Sequence, residues 1–421
     1  MLTRRQWIAS TGAAGAATLL GGCGDPGPLT ALVLEVDDRS ALVAAWALAA
    51  RSFTVEIAAD GGPVVATGVG SFDARGHGAV EVGALAAGRR YQAWVIADDG
   101  GRHGPMRFAT APPDAQPAAA RLVVTADVDE DPAYLSDLAD QVAALAADLD
   151  VSLGDWPYTD NYRASITRDD FEARYLRSWV TPRFDAWMRS TSFRAIYDDH
   201  EFGNDWDGGD RDAEPARFAA ATAAWDAWFP RRGPGPRYRR WRWGALVECF
   251  LLDARAFRSA NAAPDGPAKT MLGAAQRQWL TDGLRASTAP FKLVFTSVPL
   301  DFGHGVDHWA GFAWERDAIL DELAAAAVTG ILFVSGDQHW FAAHRHRHGF
   351  REFQIGPLSR GVIDPPPAVP GVLTRVTAYN VGVIDVDLDA GGAPRLRFRA
   401  IGAGGVTLYD EVLTPTELTP A

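Results

Sequence analysis

Cysteine is scarce in this chain of 421 residues, which contains only Cys23 and Cys249. Two thiols are too few for an all-cysteine metal site, and they could form one disulfide at most. Cys249 lies in the apolar run ALVECFLLDAR, which is typical of a core strand, so we expect a buried structural thiol. Thiol chemistry is therefore not expected in the folded part of the chain.

Runs of basic residues are also missing, and the formal net charge is −13. Nucleic-acid binding needs clusters of Lys and Arg, so no such surface is expected. A phosphorylated small substrate is not excluded, because bound cations can reverse the local field. The length favours two domains, and 48% apolar with 22% charged residues is ordinary for a globular protein. No obligate protein partner is evident.

The first residues contain no apolar stretch long enough for a membrane-spanning helix. They read MLTRRQWIASTGAAGAATLLGGC, with an arginine pair at Arg4 and Arg5 and a Leu-Gly-Gly-Cys sequence ending at Cys23. This pattern resembles a Tat export signal followed by a lipobox. It implies a lipid on Cys23 and a membrane-anchored protein of the periplasm or cell surface, with no intramolecular disulfide. A plain cleaved signal with a chance cysteine is the alternative.

The composition divides the rest of the chain into a small β domain and a larger α/β domain. Residues 1–28 are the signal and tether, 29–111 the first domain, 112–119 a Pro/Ala linker and 120–421 the second domain. In the first domain, short alternating runs separated by Gly and Asp-Gly turns predict an antiparallel sandwich. Its last part, RYQAWVIADDGG to MRFATAP, resembles the final strands of a fibronectin type III-like domain.

From residue 120 onward, apolar strand-like runs alternate with helical patterns. RLVVTA, LDVSLG, FRAIYD, LVECFLLD, FKLVFTS and GILFVSG read as buried strands. Segments such as LADQVAALAADL and ERDAILDELAAAA carry apolar residues at helical spacing. The pattern predicts a layered α/β domain.

Several of these predicted strands end in ionisable side chains. The residues concerned are Asp127, Asp129, Asp155, Tyr158, the run Asp198-Asp199-His200-Glu201, Asp337 and His339. A single Asp after a strand is usually a turn or cap residue, but ligands in α/β sheets gather at the carboxyl ends of strands. Four such segments in one domain predict a metal site. Oxygen-rich ligands with few histidines favour hard cations such as Fe(III), Ca²⁺, Mn²⁺ or Mg²⁺.

The motifs GDWPY, YDDHEFGND and SGDQH, in this order, resemble those of the PhoD-like alkaline phosphatases, a branch of the calcineurin-like metallophosphoesterases. The resemblance covers roughly residues 120–400. It implies an α/β fold, a layered metallophosphoesterase β-sandwich flanked by helices, and the fibronectin III-like all-β domain in front also fits. It further implies a dinuclear metal centre, typically Fe(III) with Ca²⁺, while Mn²⁺, Zn²⁺ or Mg²⁺ remain alternatives.

The resemblance also implies roles for individual residues. Asp155 would bridge the two metals, Tyr158 and His339 would bind the first, and Asp199 and Asp337 would hold the second. His200 would be the general acid or a phosphate contact. Asn204 would be a candidate ligand or phosphate donor. Apart from the resemblance, Arg360 is a candidate phosphate contact, and Trp156 is a candidate substrate contact as a planar wall at the pocket mouth.

The chain departs from the family pattern at two positions. The family usually has A-S-C-Q after the first strand, with Cys as a metal ligand, whereas this chain has Thr125-Ala126-Asp127-Val128. We expect Asp127 to replace that ligand and to make the first site harder. Asp205 replaces the second Asn of D-D-H-E-x-x-N-N, which adds negative charge near the second metal.

These features predict an exported metal-dependent phosphoesterase that hydrolyses phosphomonoesters, phosphodiesters or both. In such sites a metal-bound hydroxide attacks phosphorus, and His200 can protonate the leaving oxygen. One alternative is a phosphodiesterase or phospholipase acting on lipid headgroups or cell-wall polymers. Another is a non-catalytic surface lipoprotein whose sandwich is the binding module.

Several side chains outside these motifs are further candidates for metal binding or for support of the site. The spacing of His344, His346 and His348 predicts that all three lie on one face of a strand, either as a further metal site or as a solvated edge strand. Arg255 is expected to orient a carboxylate or to form a structural salt bridge. Asp307 is expected to have a structural role or to contact the residues that hold the metals.

Overall fold

The structure is a computed structural model that describes residues 28–134, 136–161 and 163–421. The predicted signal and Cys23 lie outside the described residues, so export and lipid anchoring stay predictions. Within the described ranges, no helix has the length and apolar character needed to cross a membrane.

The first part of the chain forms a seven-stranded β-sandwich. Its strands are β1 (Leu29–Leu34), β2 (Ala41–Ala47), β3 (Ser52–Ala59), β4 (Val64–Ser71), β5 (His77–Val82), β6 (Arg90–Ala97) and β7 (Arg102–Ala109). Strands β1, β2 and β5 pair in one sheet, and the order β4-β3-β6-β7 makes the other. Alternate residues of β6, such as Tyr91 and Val95, point into the core, as the period of a half-buried strand requires.

The second part adds thirteen strands. They are β8 (Ala120–Thr125), β9 (Leu149–Ser152), β10 (Phe193–Ala195), β11 (Arg239–Trp243), β12 (Val247–Leu251), β13 (Phe291–Phe295), β14 (Ile331–Ser335), β15 (Phe341–Arg345), β16 (Arg351–Gln354), β17 (Val372–Val376), β18 (Asn380–Leu388), β19 (Pro394–Gly402) and β20 (Thr407–Leu413). Two sheets result, with the orders β20-β19-β18-β8-β9-β10-β1-β2-β5 and β11-β12-β13-β14-β16-β15-β17. Leu122 and Val151 of the first sheet pack with Phe295 and Val334 of the second in one apolar core.

In the described part of the chain, seven α-helices flank the two sheets. They are α1 (Leu138–Ala144), α2 (Arg168–Trp179), α3 (Pro182–Met188), α4 (Gly208–Ala213), α5 (Pro215–Trp228), α6 (Gly273–Ala286) and α7 (Ala313–Ala325). Helix α2 begins at a capping box, in which Thr167 and Asp170 satisfy each other's backbone N–H groups. Leu284 of α6 and Leu323 of α7 pack on Phe333 of β14. The predicted layered α/β fold with an N-terminal all-β sandwich is confirmed.

The two parts of the chain share one continuous sheet, which the sequence did not predict. Strand β1 of the sandwich lies parallel to β10 of the second part, with Leu34 opposite Phe193. A buried ion pair between Glu35 and Arg194 closes the same junction, and Arg239 lies 2.7 Å from the other Glu35 oxygen. The backbone ladder therefore ties the sandwich to the strands that lead into the acidic motifs.

Strands β8, β9 and β10 run parallel, as do β12, β13 and β14. Their carboxyl ends are followed by the predicted ligands Asp127, Asp155, Asp199 and Asp337. The topology thus brings four sequence-distant loops to one edge of the two packed sheets.

The three alternating histidines do not share one strand face, so that prediction is wrong. Strand β15 ends at Arg345, and the chain turns back to β16 through residues 346–350. His348 lies in this turn with a φ of 58°, and its Nε2 contacts Asp321 Oδ1 at 2.6 Å. His344 and His346 stay together, whereas the turn carries His348 toward α7.

Asp150 is fully buried in the middle of β9, and we expect it to make stability depend on pH. Its carboxylate accepts from Trp187 Nε1 at 2.7 Å and Thr125 Oγ1 at 2.8 Å, yet burial raises its pKa from 3.8 to about 7. The folded state therefore binds more protons than the unfolded state between these values, and this contribution to stability is lost as pH rises through about 7.

Asp150→Asn should remove that dependence. We expect the variant to match the wild type near pH 4 in chemical unfolding and to exceed it by a few kcal/mol near pH 8, at about 1.4 kcal/mol per pKa unit. A difference between the two proteins that stays constant from pH 4 to pH 8 would contradict a raised pKa of Asp150.

Candidate metal centre

Asp155 belongs to three groups of ligand atoms among the described residues, and two of these groups contain the residues predicted to hold the two metals. In the first group Asp127, Asp155 and His339 each place one ligand atom within 4.8 Å of the others. The Tyr158 hydroxyl joins this group, at 3.2 Å from Asp155 Oδ2 and 3.0 Å from His339 Nε2. The structure therefore brings together all four residues predicted around the first metal.

The second group shares Asp155 with the first. It consists of Asp155, Asp198, Asp199 and Asp337, whose ligand atoms also lie within 4.8 Å of one another. His200 forms a further such group with Asp155 and Asp199. A carboxylate shared between two neighbouring ligand groups is the arrangement that a bridging ligand needs.

Several carboxylate oxygens of the site are buried without partners. Asp127 is 0% exposed, and among the described residues neither of its oxygens has a hydrogen-bond partner. Asp198 Oδ2 and Asp199 Oδ1 are in the same position. Buried polar atoms are normally paired, so these oxygens fit bound cations.

Burial and mutual repulsion of the carboxylates dominate the electrostatics without a cation. Burial first, and then the neighbouring charges of Asp198 and Asp199, raise the pKa values of Asp127, Asp155 and Asp337 well above the usual range. A divalent or trivalent ion would reverse this effect by stabilising the ionised carboxylates. The donor set therefore fits a pair of hard cations.

The backbone at the ligands adopts an unusual conformation. Asp127, Asp155, Asp337 and His339 have φ values of 58°, 57°, 79° and 62°. Non-glycine residues in the left-handed region are uncommon, and they cluster at functional sites. The conformation of these loops is less favourable for the backbone, but it places the candidate ligand side chains close together.

One glycine makes room for the first group. A Cβ on Gly356, whose φ is 101°, would lie 2.0 Å from Asp127 Oδ2. Only a residue without a side chain allows the 355–357 backbone to pass this close to the carboxylate.

The three carboxylates of the acidic run after β10 have different partners. Asp199 faces the second group, and Asp198 Oδ1 accepts from Arg255 Nε at 2.6 Å. Glu201 turns back and accepts from the backbone N–H groups of Asp155, Trp156 and Asp198 at 3.2, 2.8 and 2.9 Å. The role of Glu201, which ties the two metal-binding loops together, was not predicted.

His200 is paired with a residue that the sequence analysis missed. His200 Nδ1 lies 2.8 Å from Asp160 Oδ1, and the His200 ring lies 4.2 Å from that of Tyr158. Burial lowers the pKa of His200, but the charges of Asp199 and Asp160 outweigh it and raise the pKa to about 9. The sequence does offer one signal for Asp160, which lies two residues after the GDWPY motif.

Arg255 lies next to the second group and forms ion pairs with three carboxylates, those of Asp198, Asp199 and Asp307. Its side chain is 0% exposed, with Nη1 2.6 Å from Asp307 Oδ2 and Nη2 3.5 Å from Asp199 Oδ1. Burial raises the pKa of Asp199, but His200 and Arg255 together bring it down to about 2. The expected supporting positions of Arg255 and Asp307 agree with these contacts.

Two of the predicted substrate contacts lie beside the centre. The Arg360 guanidinium stacks over the Tyr158 ring at 4.2 Å and pairs with Asp129. Asn204 is exposed, and its backbone N–H donates to Asp160 Oδ2 at 2.8 Å. Their roles toward substrate stay predictions.

The prediction that Trp156 lines the pocket is wrong. Its side chain is 1% exposed, packs on Trp187 at 4.7 Å, and donates from Nε1 to Ser178 Oγ at 2.9 Å. The backbone of the GDW turn reaches the metal ligands, but the indole leaves on the opposite side, where its apolar surface is buried in an aromatic core.

The comparisons with known proteins agree with this geometry. The family model described as PhoD-like phosphatase matches residues 131–380, more than half of the chain. Alkaline phosphatase D of Bacillus subtilis (strain 168) is 26% identical over 213 residues, which are 43% of this chain and 36% of the relative. The match thus spans about a third of that relative's length.

Solved structures show the same fold. A structure of PhoD covers 93% of this chain and 91% of its own, with a TM-score of 0.81 and 18% identity. A purple acid phosphatase from yellow lupin (Lupinus luteus) seeds covers 93% and 76%, with a TM-score of 0.67 and 11% identity. At these identities the two structures show the fold alone, whereas the family match and the ligand groups agree with the predicted phosphate-ester hydrolase and its metal centre. The chain belongs to the PhoD-like phosphatase family.

Proposed function

We propose that this protein is an exported, dinuclear metal-dependent phosphoesterase that hydrolyses phosphomonoesters, phosphodiesters or both. The observation that carries the proposal is Asp155, which belongs to two adjacent groups of buried ligands. Buried oxygens without a hydrogen bond among the described residues add support: both oxygens of Asp127 in the first group, and Asp199 Oδ1 in the second.

The residues suit Fe(III) in the first site and Ca²⁺ in the second. Asp127, Tyr158 and His339 would hold the first cation, and Asp199 and Asp337 the second, with Asp155 between them. A phenol and two carboxylates favour a hard ion, and an all-oxygen set suits Ca²⁺. Two such cations would orient the phosphate, neutralise charge that develops on its oxygens and make water a better nucleophile.

His200 is the chain's own candidate for proton donation. Its ring lies beside the metal ligands and is fixed by Asp160 through Nδ1, which leaves Nε2 to hold a proton toward the leaving oxygen. Its raised pKa also means that His200 adds positive charge near an anionic substrate. Asp160 is then a positioning residue that acts through His200.

The direct test of the proposed function is phosphate-ester hydrolysis by the full-length protein. The assay follows release of the phenol from an aryl phosphomonoester and from the matching bis-aryl diester. It is run before chelation, after chelation and with metal restored. Hydrolysis that is lost on chelation and recovers with iron and calcium supports the proposal. If chelation and the addition of each metal left the hydrolysis rates of both esters unchanged, the proposal would be overturned.

His200→Asn should slow hydrolysis according to the leaving group. With an alkyl phosphate, whose alkoxide must be protonated, we expect kcat to fall by about 10²-fold or more. With a nitrophenyl phosphate, whose leaving group needs little protonation, the loss should be much smaller. Asp160→Asn should show a weaker loss with the same preference.

Metal content must be measured on both variants and should match the wild type. An equal loss of kcat on the two esters, at unchanged metal content, would show that His200 binds phosphate and does not donate a proton.

A further inference from the structure

A second cluster of ligand side chains lies on the β15–β16 hairpin, and it shares no residue with the metal centre. His344 of β15 stands directly opposite Glu352 of β16 in the antiparallel register. His346 follows His344 by two residues. One ligand atom of each of these three residues lies within 4.8 Å of the other two.

His344 is buried and incompletely satisfied. It is 2% exposed, and within the described part of the chain its Nε2 has no hydrogen-bond partner. Its ring stacks on that of His346, with centroids 5.4 Å apart and planes 8° from parallel. Burial lowers the pKa of His344 to about 4, so the imidazole is neutral and keeps a lone pair. A buried nitrogen without a partner is costly unless something binds it.

Glu352 is held in place as a carboxylate. Its Oε1 accepts from Ser335 Oγ at 2.5 Å and from the Leu300 backbone N–H at 3.0 Å. Its Oε2 faces His346 Nε2 at 2.7 Å. Supporting hydrogen bonds of this kind orient the carboxylate groups that bind metals.

The cluster is reached from the surface. A cavity of about 140 Å³ borders both histidines and is also lined by Asp301, Arg316, Pro370 and Gly371. This space is large enough for an ion with one or more waters.

We propose that His344, His346 and Glu352 bind one Zn²⁺ ion through two imidazole nitrogens and a carboxylate oxygen, with a fourth position open to water from the cavity. Imidazole nitrogens favour zinc and related transition metals over Ca²⁺ and Mg²⁺. The ion would join β15, the turn and β16. It would strengthen the hairpin without taking part in the dinuclear centre.

Zinc titration of the full-length protein tests this assignment. Wild type, His346→Gln and Glu352→Gln are each equilibrated with Zn²⁺, and bound zinc is measured by elemental analysis together with the unfolding temperature. His348→Gln is the matched control, because it removes a histidine of the same run that points away from the cluster. Circular dichroism establishes that each variant is folded.

We expect wild type and His348→Gln to bind one zinc equivalent more than His346→Gln and Glu352→Gln, and only the former pair to gain unfolding temperature with zinc. The same difference should persist when all four proteins also carry Asp155→Asn, so the result does not depend on the proposed phosphoesterase. Equal zinc binding by the wild type and by a folded cluster variant, either His346→Gln or Glu352→Gln, would overturn the site and leave only the contact between His346 and Glu352.

Discussion

Asp155→Asn should lower hydrolysis of every phosphate ester roughly 10⁴-fold. Asp155 belongs to both ligand groups, so one substitution weakens both sites at once. Metal ions contribute several kcal/mol to stabilising charge in such transition states, and each 1.4 kcal/mol is about tenfold in rate. The measurement is kcat/KM on one monoester and one diester, with metal content determined on the same samples.

Asp150→Asn is the matched control for this experiment. Asp150 is equally buried, lies in the strand that leads to Asp155, and takes no part in the ligand groups found among the described residues. It should keep its metal and its activity. If Asp155→Asn retained both metals and near-normal rates, Asp155 would not be the bridge.

Arg255→Met should lower the free energy of unfolding by about 3–5 kcal/mol, the range found when one partner of a buried ion pair is removed. The guanidinium is fully buried and lies 2.6 Å from Asp198 and from Asp307 and 3.5 Å from Asp199. Its loss would leave like charges facing one another in a medium of low polarity. Chemical unfolding of the metal-free protein measures the effect without any contribution from bound cations.

A second substitution separates charge from packing. In Arg255→Met with Asp198→Asn, one of the stranded charges is gone, so part of the lost stability should return. Arg285→Met, whose partners Asp282 and Glu322 are partly exposed, should change the free energy of unfolding by less than about 1 kcal/mol. Additive effects of the Arg255 and Asp198 substitutions would contradict the coupling.

The grouping of the candidate ligands was predictable because each follows an apolar strand in a recognisable motif. Asp127, Asp155, Asp199 and Asp337 all lie where parallel strands end, and the topology of such sheets brings those ends together. The position of Asp127 beside Asp155 and His339 was also predictable, since its place in the motif marked it as a candidate ligand.

Side-chain direction in turns was not predictable. Trp156 and Tyr158 lie two residues apart, yet the first points into an aromatic core and the second into the metal centre. Both residues belong to a turn in which Asp155 has a φ of 57°, and the residue types alone do not specify the path of this turn. His348 was misplaced for the same reason, because its φ of 58° turns the chain out of the strand.

Contacts between residues that are far apart in the chain could not be predicted from the sequence either. Asp160 meets His200 across 40 residues, and Asp150 meets Trp187 across 37. Neither pair has a spacing rule, because each depends on how two loops or layers pack. The continuous sheet through β10 and β1 is another such contact.

The most direct test of the central claim is metal analysis and hydrolysis measured on one preparation of the full-length protein. The dinuclear assignment predicts about two metal equivalents that are lost in Asp155→Asn, and phosphate-ester hydrolysis that disappears with them. A wild-type protein whose metal content equals that of Asp155→Asn, and which hydrolyses neither ester after addition of iron, calcium, manganese or zinc, would contradict it.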